Sequence, residues 1–285
     1  LESFKGRKLS MVFQDPMSGL NPVFTIGEQL TDTAQFGGES DTGVLSYYRR
    51  KHSDEREDAH RHVVDLLEEV QMPDPERIME SYPTELSGGM RQRALIAQAL
   101  LNDPELLIAD EIGTALDVTI HDQIMKLLER LIEERDLSVL MITHNLGVAR
   151  EVSDRVYVMY AGRTIESAPT ETLFELPKHP YTQGLIASIP RLTGDEMAEG
   201  IDGVIPQYID PPPGCRFAPR CPYAHERCTG GKPPRYATED GSSVACYLHD
   251  PDTDRFETPT LAETRTALAG TDDVLDGTPA MEGDS

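Results

Sequence analysis

The run Leu106-Leu107-Ile108-Ala109, closed at once by Asp110-Glu111, constrains the fold of this chain more than any other feature. An apolar run without alternation suits a strand covered on both faces, as in parallel sheets flanked by helices. Leu137 to Thr143 repeats the pattern, and Lys8-Leu9-Ser10-Met11-Val12-Phe13 reads as another short strand, ended by Gln14-Asp15-Pro16. Between these runs, apolar residues recur at helical spacing. They are Val63, Leu66, Leu67 and Val70 in the segment 59–70, and Ile120, Ile124, Leu127, Leu128 and Leu131 in the segment 119–134. A further apolar-periodic segment lies around Ile26 to Leu30. Strand and helix in alternation predict an α/β layered core around a mostly parallel sheet.

Length allows one large domain or two modest ones in 285 residues. The 26 basic and 50 acidic side chains give a net charge of −24. Such a surface argues against a nucleic-acid partner, whose phosphates call for clustered positive charge. Charge of one sign along the whole length fits a protein kept dispersed by self-repulsion, and favours a salt-rich, halophilic cytoplasm over an acidic mesophilic protein. No apolar run approaches the roughly 20 residues that span a bilayer, and no signal segment opens the chain. The expectation is a cytosolic protein that meets a membrane only through a partner. The chain opens on Leu1, and Met11 falls inside a strand, which reads as an N-terminally truncated piece.

Several boundaries can be read along the chain. Residues 37–58 are polar and charged, with Gly37-Gly38 and Arg49-Arg50-Lys51, and read as a surface excursion. Ser87 is placed to cap a helix from Gly88 through Leu101, stopped near Asn102-Asp103-Pro104. Val156 to Tyr160 and Arg163-Thr164-Ile165, around Gly162, read as paired strands with a tight turn. A composition shift near Leu176 divides residues 1–175 from a proline-rich region, 176–250, that holds all 4 cysteines. Beyond it, 251–285 is acidic, poor in aromatics and reads as disordered.

The chemistry-bearing residues sit at the ends of these elements. A carboxylate at the end of an apolar strand, Asp110, can hold magnesium, and Glu111 beside it can orient an attacking water. Ser87-Gly88-Gly89 opens a helix, whose N-terminal amides and dipole attract anions, and glycine lets a phosphate approach the backbone. His144 ends the strand of Ile142-Thr143-His144-Asn145, where open α/β sheets bind ligands.

The full stretch Tyr82-Pro83-Thr84-Glu85-Leu86-Ser87-Gly88-Gly89-Met90-Arg91-Gln92-Arg93, with Asp110-Glu111 downstream, resembles the ATP-binding subunit of an ABC transporter. Gln14 resembles that family's Q-loop glutamine, Ala115-Leu116-Asp117 its D-loop, and His144 its switch histidine. The wording of Ala115-Leu116-Asp117-Val118-Thr119 and of Val158-Met159-Tyr160-Ala161-Gly162-Arg163 is closest to the oligopeptide/dipeptide importer subgroup. The resemblance, over about 1–167, implies a P-loop NTPase of ABC type, N-terminally truncated, with a helical subdomain at roughly 20–95 and a small cysteine-containing extension. It implies ATP bound with Mg2+, with Gln14 and Asp110 at the metal and Ser87, Gly88, Gly89 and Asp117 at the nucleotide. It further implies hydrolysis through Glu111 and His144. The partners implied are integral-membrane permease subunits, a second ATPase subunit and, indirectly, an extracytoplasmic solute-binding protein. The place of work implied is the inner face of the cell membrane.

Two departures stand out. No G-x-x-x-x-G-K-[ST] occurs anywhere in the sequence, so the phosphate-cradling loop of the family is absent. An alternative follows: a non-hydrolysing subunit that supplies only its Ser87-Gly88-Gly89 segment to a partner's ATP. A core without the strand that carries such a loop is expected to expose apolar surface. The other departure is Ile112-Gly113 where the family writes Pro-Thr; Gly113 is expected to loosen the link to the D-loop.

The cysteines are Cys215, Cys221, Cys228 and Cys246. In a cytosolic protein such a group favours metal over disulfides, and softness alone suits structural zinc and an iron–sulfur cluster equally. The spacing lacks the paired C-x-x-C of zinc ribbons, which lowers zinc. With His179-Pro180-Tyr181-Thr182 upstream, the region is similar to the C-terminal extension of oligopeptide/dipeptide importer ATPases. That resemblance implies a [4Fe–4S] cluster on the four cysteines, stapling a segment with too little core to fold alone.

Overall fold

The computed structural model describes residues 8–15, 19–36, 54–113, 116–189, 201, 209, 211–252, 259–260 and 263–264. Two compact units divide after Asn145. In the first, β1 (Leu9–Val12), β2 (Leu106–Asp110) and β3 (Ser138–Ile142) form a parallel sheet in the order β1-β2-β3. The register sets Leu9 beside Leu106 and Leu106 beside Ser138. All three carboxyl ends therefore lie on one edge, and the sheet is parallel as expected.

Central β2 buries Leu107 and Ala109 completely. The outer strand β3 does not match the expectation of a strand covered on both faces: Leu140 and Ile142 are 47% and 46% exposed. These residues project from the outer strand of the described sheet, where no described element covers them. Apolar surface is thus exposed on β3 among the described residues.

Helices α1 (Ile26–Phe36), α2 (Asp54–Glu69), α3 (Pro75–Glu80) and α4 (Gly88–Leu100) pack together. Val63, Leu66, Leu67 and Val70, the apolar stripe read from the sequence, are all buried. Helix α2 starts four residues before the end of the segment 37–58 that reads as a surface excursion, so Asp54 to Asp58 are helical; residues 37–53 lie outside the described ones. Thr25 and Glu28 form a reciprocal cap on α1: the Glu28 N–H donates to Thr25 Oγ1 at 3.2 Å and the Thr25 N–H to Glu28 Oε2 at 3.0 Å. Guanidinium groups close the other end of α2, where helix carbonyls are unpaired and the dipole is negative. Arg130 donates to the Glu69 carbonyl at 2.6 Å and Arg93 to that of Val70 at 2.7 Å. Arg135 grips the Glu69 carboxylate with two bonds of 2.5 Å. It extends from α5 (Val118–Arg135), the helix that leads from β2 back to β3.

The second unit begins with α6 (Leu146–Val152) and the hairpin of β4 (Arg155–Tyr160) and β5 (Arg163–Pro169). Its turn holds Ala161 at φ 48° and Gly162 at φ 76°, the positive pair that matches the twist of a tight hairpin. Helices α7 (Thr170–Glu175) and α8 (Pro180–Ala187) follow, then α9 (Glu226–Gly230) and the short strands β6 (Tyr236–Ala237) and β7 (Ser243–Val244). The strand order is β4-β5-β7-β6, all antiparallel. Tyr160, Tyr181 and Phe217 meet at ring centroid distances of 4.7 to 5.5 Å and anchor one core that the hairpin shares with the proline-rich region. Among the described residues no helix is long and apolar enough to cross a membrane.

Candidate functional site

Parallel pairing brings Gln14, Asp110, Glu111 and His144 to the same end of the first sheet, each at or just past a strand terminus. Three of them are joined. The Gln14 amide Nε2 donates to Glu111 Oε2 at 2.5 Å, and His144 Nδ1 lies 3.1 Å from Glu111 Oε1. Glu111 is thereby held by both carboxylate oxygens, with its side chain 24% exposed and that of His144 67% exposed. Its backbone takes φ 48°, a conformation that costs a non-glycine residue energy and is fixed here by its N–H bond to the Ile142 carbonyl at 2.8 Å. The strained corner turns the carboxylate off the strand and toward Gln14 and His144. Asp110, in register with Ile142, closes β2 half-buried behind it.

Ser87, Gly88 and Gly89 make their contacts elsewhere in the unit. Ser87 Oγ accepts from the Met90 N–H at 3.3 Å and caps α4 as expected. A Cβ on Gly89 would come within 2.7 Å of Ile120 Cγ2, and one on Gly88 within 3.0 Å of Leu116 Cδ2. A Cβ at either position would oblige these side chains to shift. Asp117 caps α5, its Oδ1 accepting from the Ile120 N–H at 3.0 Å. Ala115 lies outside the described residues.

Gly113 has φ 91°, a conformation closed to proline, and its ideal Cβ would lie 2.6 Å from His121 Nδ1. Gly113 is therefore packed on the α5 histidine in a glycine-specific shape. His121 was not among the residues singled out; its helical spacing from Asp117 was the available signal.

In the second unit all four cysteines line one cavity, together with His179, Tyr223 and Tyr247 among others. No disulfide joins them. Backbone N–H groups reach the sulfurs: Phe217 and Ala218 at Cys215, Tyr223 at Cys221, and Leu248 at Cys246. Burial in apolar surroundings pushes the Cys215 thiol up and that of Cys221 to about 12, and neighbouring cysteines add to both shifts. Cys246 is raised for the same reasons. Such thiols stay protonated and inert unless something displaces the protons. Among the described residues, no group of three His, Cys, Asp or Glu side chains is arranged to hold a single metal ion.

Beside the cavity, Glu166 is fully buried and accepts the N–H groups of Lys178 at 2.8 Å and His179 at 2.9 Å. Desolvation raises its pKa, and these hydrogen bonds offset part of the rise. Sequence reading missed Glu166, because an acid within a strand reads as a solvated face.

Comparison with known proteins finds family matches in both units. The family model "ABC transporter" matches residues 2–114, and "Oligopeptide/dipeptide transporter, C-terminal region" matches 165–228. The oligopeptide transport ATP-binding protein AppD of Bacillus subtilis is 45% identical over 247 residues, 86% of this chain and 71% of that protein. The dipeptide transport ATP-binding protein DppD of the same organism is 43% identical, covering 88% and 71%. A putative peptide import ATP-binding protein of Brucella ovis is 45% identical, covering 86% and 71%. A dimeric ATP-binding cassette solved with ADP and Pi shares 27% identity and a TM-score of 0.47, over 59% of this chain and 65% of that one. The chain belongs to the ABC transporter family, among the ATP-binding proteins of oligopeptide and dipeptide transport.

Proposed function

We propose that this chain is the ATP-hydrolysing subunit that energises import of peptides or similar small solutes. The observation that carries the reading is the Glu111 carboxylate, held at the sheet's carboxyl edge between the Gln14 amide and the His144 ring. A carboxylate fixed by both oxygens keeps the geometry needed to orient a water and take its proton as it attacks the γ-phosphate. Gln14 donates through Nε2 to Glu111, which leaves its carbonyl oxygen as an acceptor toward a metal. That oxygen and Asp110 are the hard donors that would hold Mg2+, which when bound neutralises phosphate charge. His144, adjoining Glu111, is placed to donate to the γ-phosphate. The amides at the start of α4, opened by Ser87, Gly88 and Gly89, and Asp117 at the start of α5, serve a nucleotide shared with a second ATPase subunit.

In this reading residues 1–175 are the ATPase domain, 176–250 the extension and 251–285 an acidic tail. The subunit works on the inner face of the cell membrane against permease subunits, downstream of a solute-binding protein. The charge of −24 suits a salt-rich cytoplasm. A thermal midpoint that rises between dilute and molar KCl supports this, and one that falls contradicts it.

The cysteines are assigned to a [4Fe–4S] cluster. Four thiols on one cavity wall, with backbone N–H donors at three of them, form a soft donor set suited to thiolate ligation. A lone zinc requires sulfurs about 3.8 Å apart, given Zn–S distances near 2.3 Å. Among the described residues no such grouping exists, and the assignment rests on the four thiols and their N–H donors. Bound there, the cluster supplies cross-linking of the extension and no step of hydrolysis.

The test is uptake of peptides into vesicles holding the assembled transporter. ATP-dependent accumulation, abolished when this subunit is left out, supports the reading; accumulation that persists without it sinks the reading.

A further inference from the structure

We propose that His179 donates a hydrogen bond from Nε2 to the sulfur of the group held by Cys215, Cys221, Cys228 and Cys246. The inference rests on the metal reading above and assigns this histidine a positioning and charge-tuning part in it. His179 ends the proline-rich approach to α8 and caps that helix: its Nδ1 accepts the Tyr181 N–H at 3.0 Å. A backbone amide only donates, so Nδ1 presents its lone pair, and a neutral imidazole then carries its one hydrogen on Nε2.

That Nε2 is buried and has no partner among the described residues. The ring is 1% exposed and forms part of the cavity wall with the four cysteines. The wall's other polar side chains are committed elsewhere. Tyr223 donates its hydroxyl to Thr264 Oγ1 and Tyr247 donates to the Gly231 carbonyl, both at 3.3 Å. Pro180, Ala218, Pro233 and Leu248 carry no side-chain donor. Buried donors in folded proteins are almost always satisfied. Here the acceptor to be expected is a sulfur of the loaded site, since a protonated thiol accepts poorly and a thiolate or sulfide accepts well.

The ring is also fixed. The cap bond holds one nitrogen, Glu166 holds the backbone N–H of His179 at 2.9 Å, and the Phe217 ring packs at 5.8 Å. A donor locked in place before the group arrives costs little ordering when it binds. Hydrogen bonds to cluster sulfurs favour the more reduced, more negative state, so this one raises the reduction potential.

The experiment uses the full chain, loaded with ferrous iron and sulfide, as wild type, His179→Asn and His179→Ser. Both replacements are good helix caps and neither presents the imidazole Nε2–H to the cavity. The expected result is that both variants fold, at an unfolding temperature lowered by the lost ring packing, but hold a cluster with a more negative midpoint potential that a chelator strips several-fold faster. Wild-type potential and stripping rate in both variants overturn the proposal and leave His179 a helix cap. Wild type that takes up neither iron nor zinc overturns it together with the metal reading, and that sample separates the two failures. A second readout needs no variant. In wild-type protein labelled with 15N-histidine, the Nε2 proton resonance of His179 moves on loading; a resonance unchanged by loading contradicts the hydrogen bond.

Discussion

The carboxyl edge of the parallel sheet and the cysteine cavity gather reactive side chains in opposite surroundings. At the sheet edge Gln14, Glu111 and His144 are bound to one another in a shallow, largely exposed group. In the cavity Cys215, Cys221 and Cys246 are screened by apolar neighbours, steadied by backbone N–H groups and pushed above their ordinary pKa. The contrast follows from when each site must exclude water. A site completed by nucleotide and a second subunit stays open until they arrive, and its own side chains hold each other meanwhile. In the proposed reading, the cavity staples a segment with little core and excludes water at all times, so the fold itself supplies its walls.

The sharpest way to break this comparison is to remove the exposed partner of Glu111. His144→Ala is expected to slow ATP turnover of the assembled transporter by roughly 10²–10⁴-fold, with unfolding unchanged; steady-state phosphate release checks both the size and the location of the effect. The counterpart in the closed site is Cys246→Ser. It is expected to lose bound iron and to expose the extension to protease while residues 8–145 stay protected, as limited proteolysis with mass spectrometry would read. Protection of the extension without metal would remove the staple from the account.

A smaller effect sharpens the description of the link after Glu111. Gly113→Ala places a Cβ 2.6 Å from His121 Nδ1 at φ 91° and is expected to cost about 1–3 kcal/mol in denaturant unfolding. A neutral result would restore the picture of a loosened link. The smallest concerns α2. The hydrogen bonds from Arg135 hold the Glu69 carboxyl below its ordinary value of 4.5. A depressed acid pKa contributes stability that is present above 4.5 and is lost as pH falls through the folded-state value. Glu69→Gln is expected to cost about 1–2 kcal/mol at pH 7, the gap to wild type closing below pH 4.5; a gap independent of pH would assign the loss to packing alone.

What the sequence disclosed, and what it hid, divides along physical lines. The stripe Val63, Leu66, Leu67 and Val70 is buried as read, because helical period and burial are one signal. The Ala161–Gly162 turn and the cap at Ser87 were legible because local chemistry decides them. The meeting of Gln14, Glu111 and His144 followed from three strands ending alike. Hidden were features that depend on packing across the chain. Leu140 and Ile142 look like core until the sheet order makes β3 the outer strand. Gly113 reads as freedom until His121 is seen to occupy the space of its missing Cβ. His179 reads as a motif residue until it is found on the wall of the cysteine cavity with a buried nitrogen that has no partner among the described residues.

The most direct test of the central claim is the ATP turnover of the assembled transporter carrying Glu111→Gln, measured beside its retained nucleotide. If Glu111 positions the attacking water, turnover falls by roughly 10²–10⁴-fold while ATP stays bound. Turnover within twofold of wild type would contradict the assignment of Glu111 as the catalytic carboxylate.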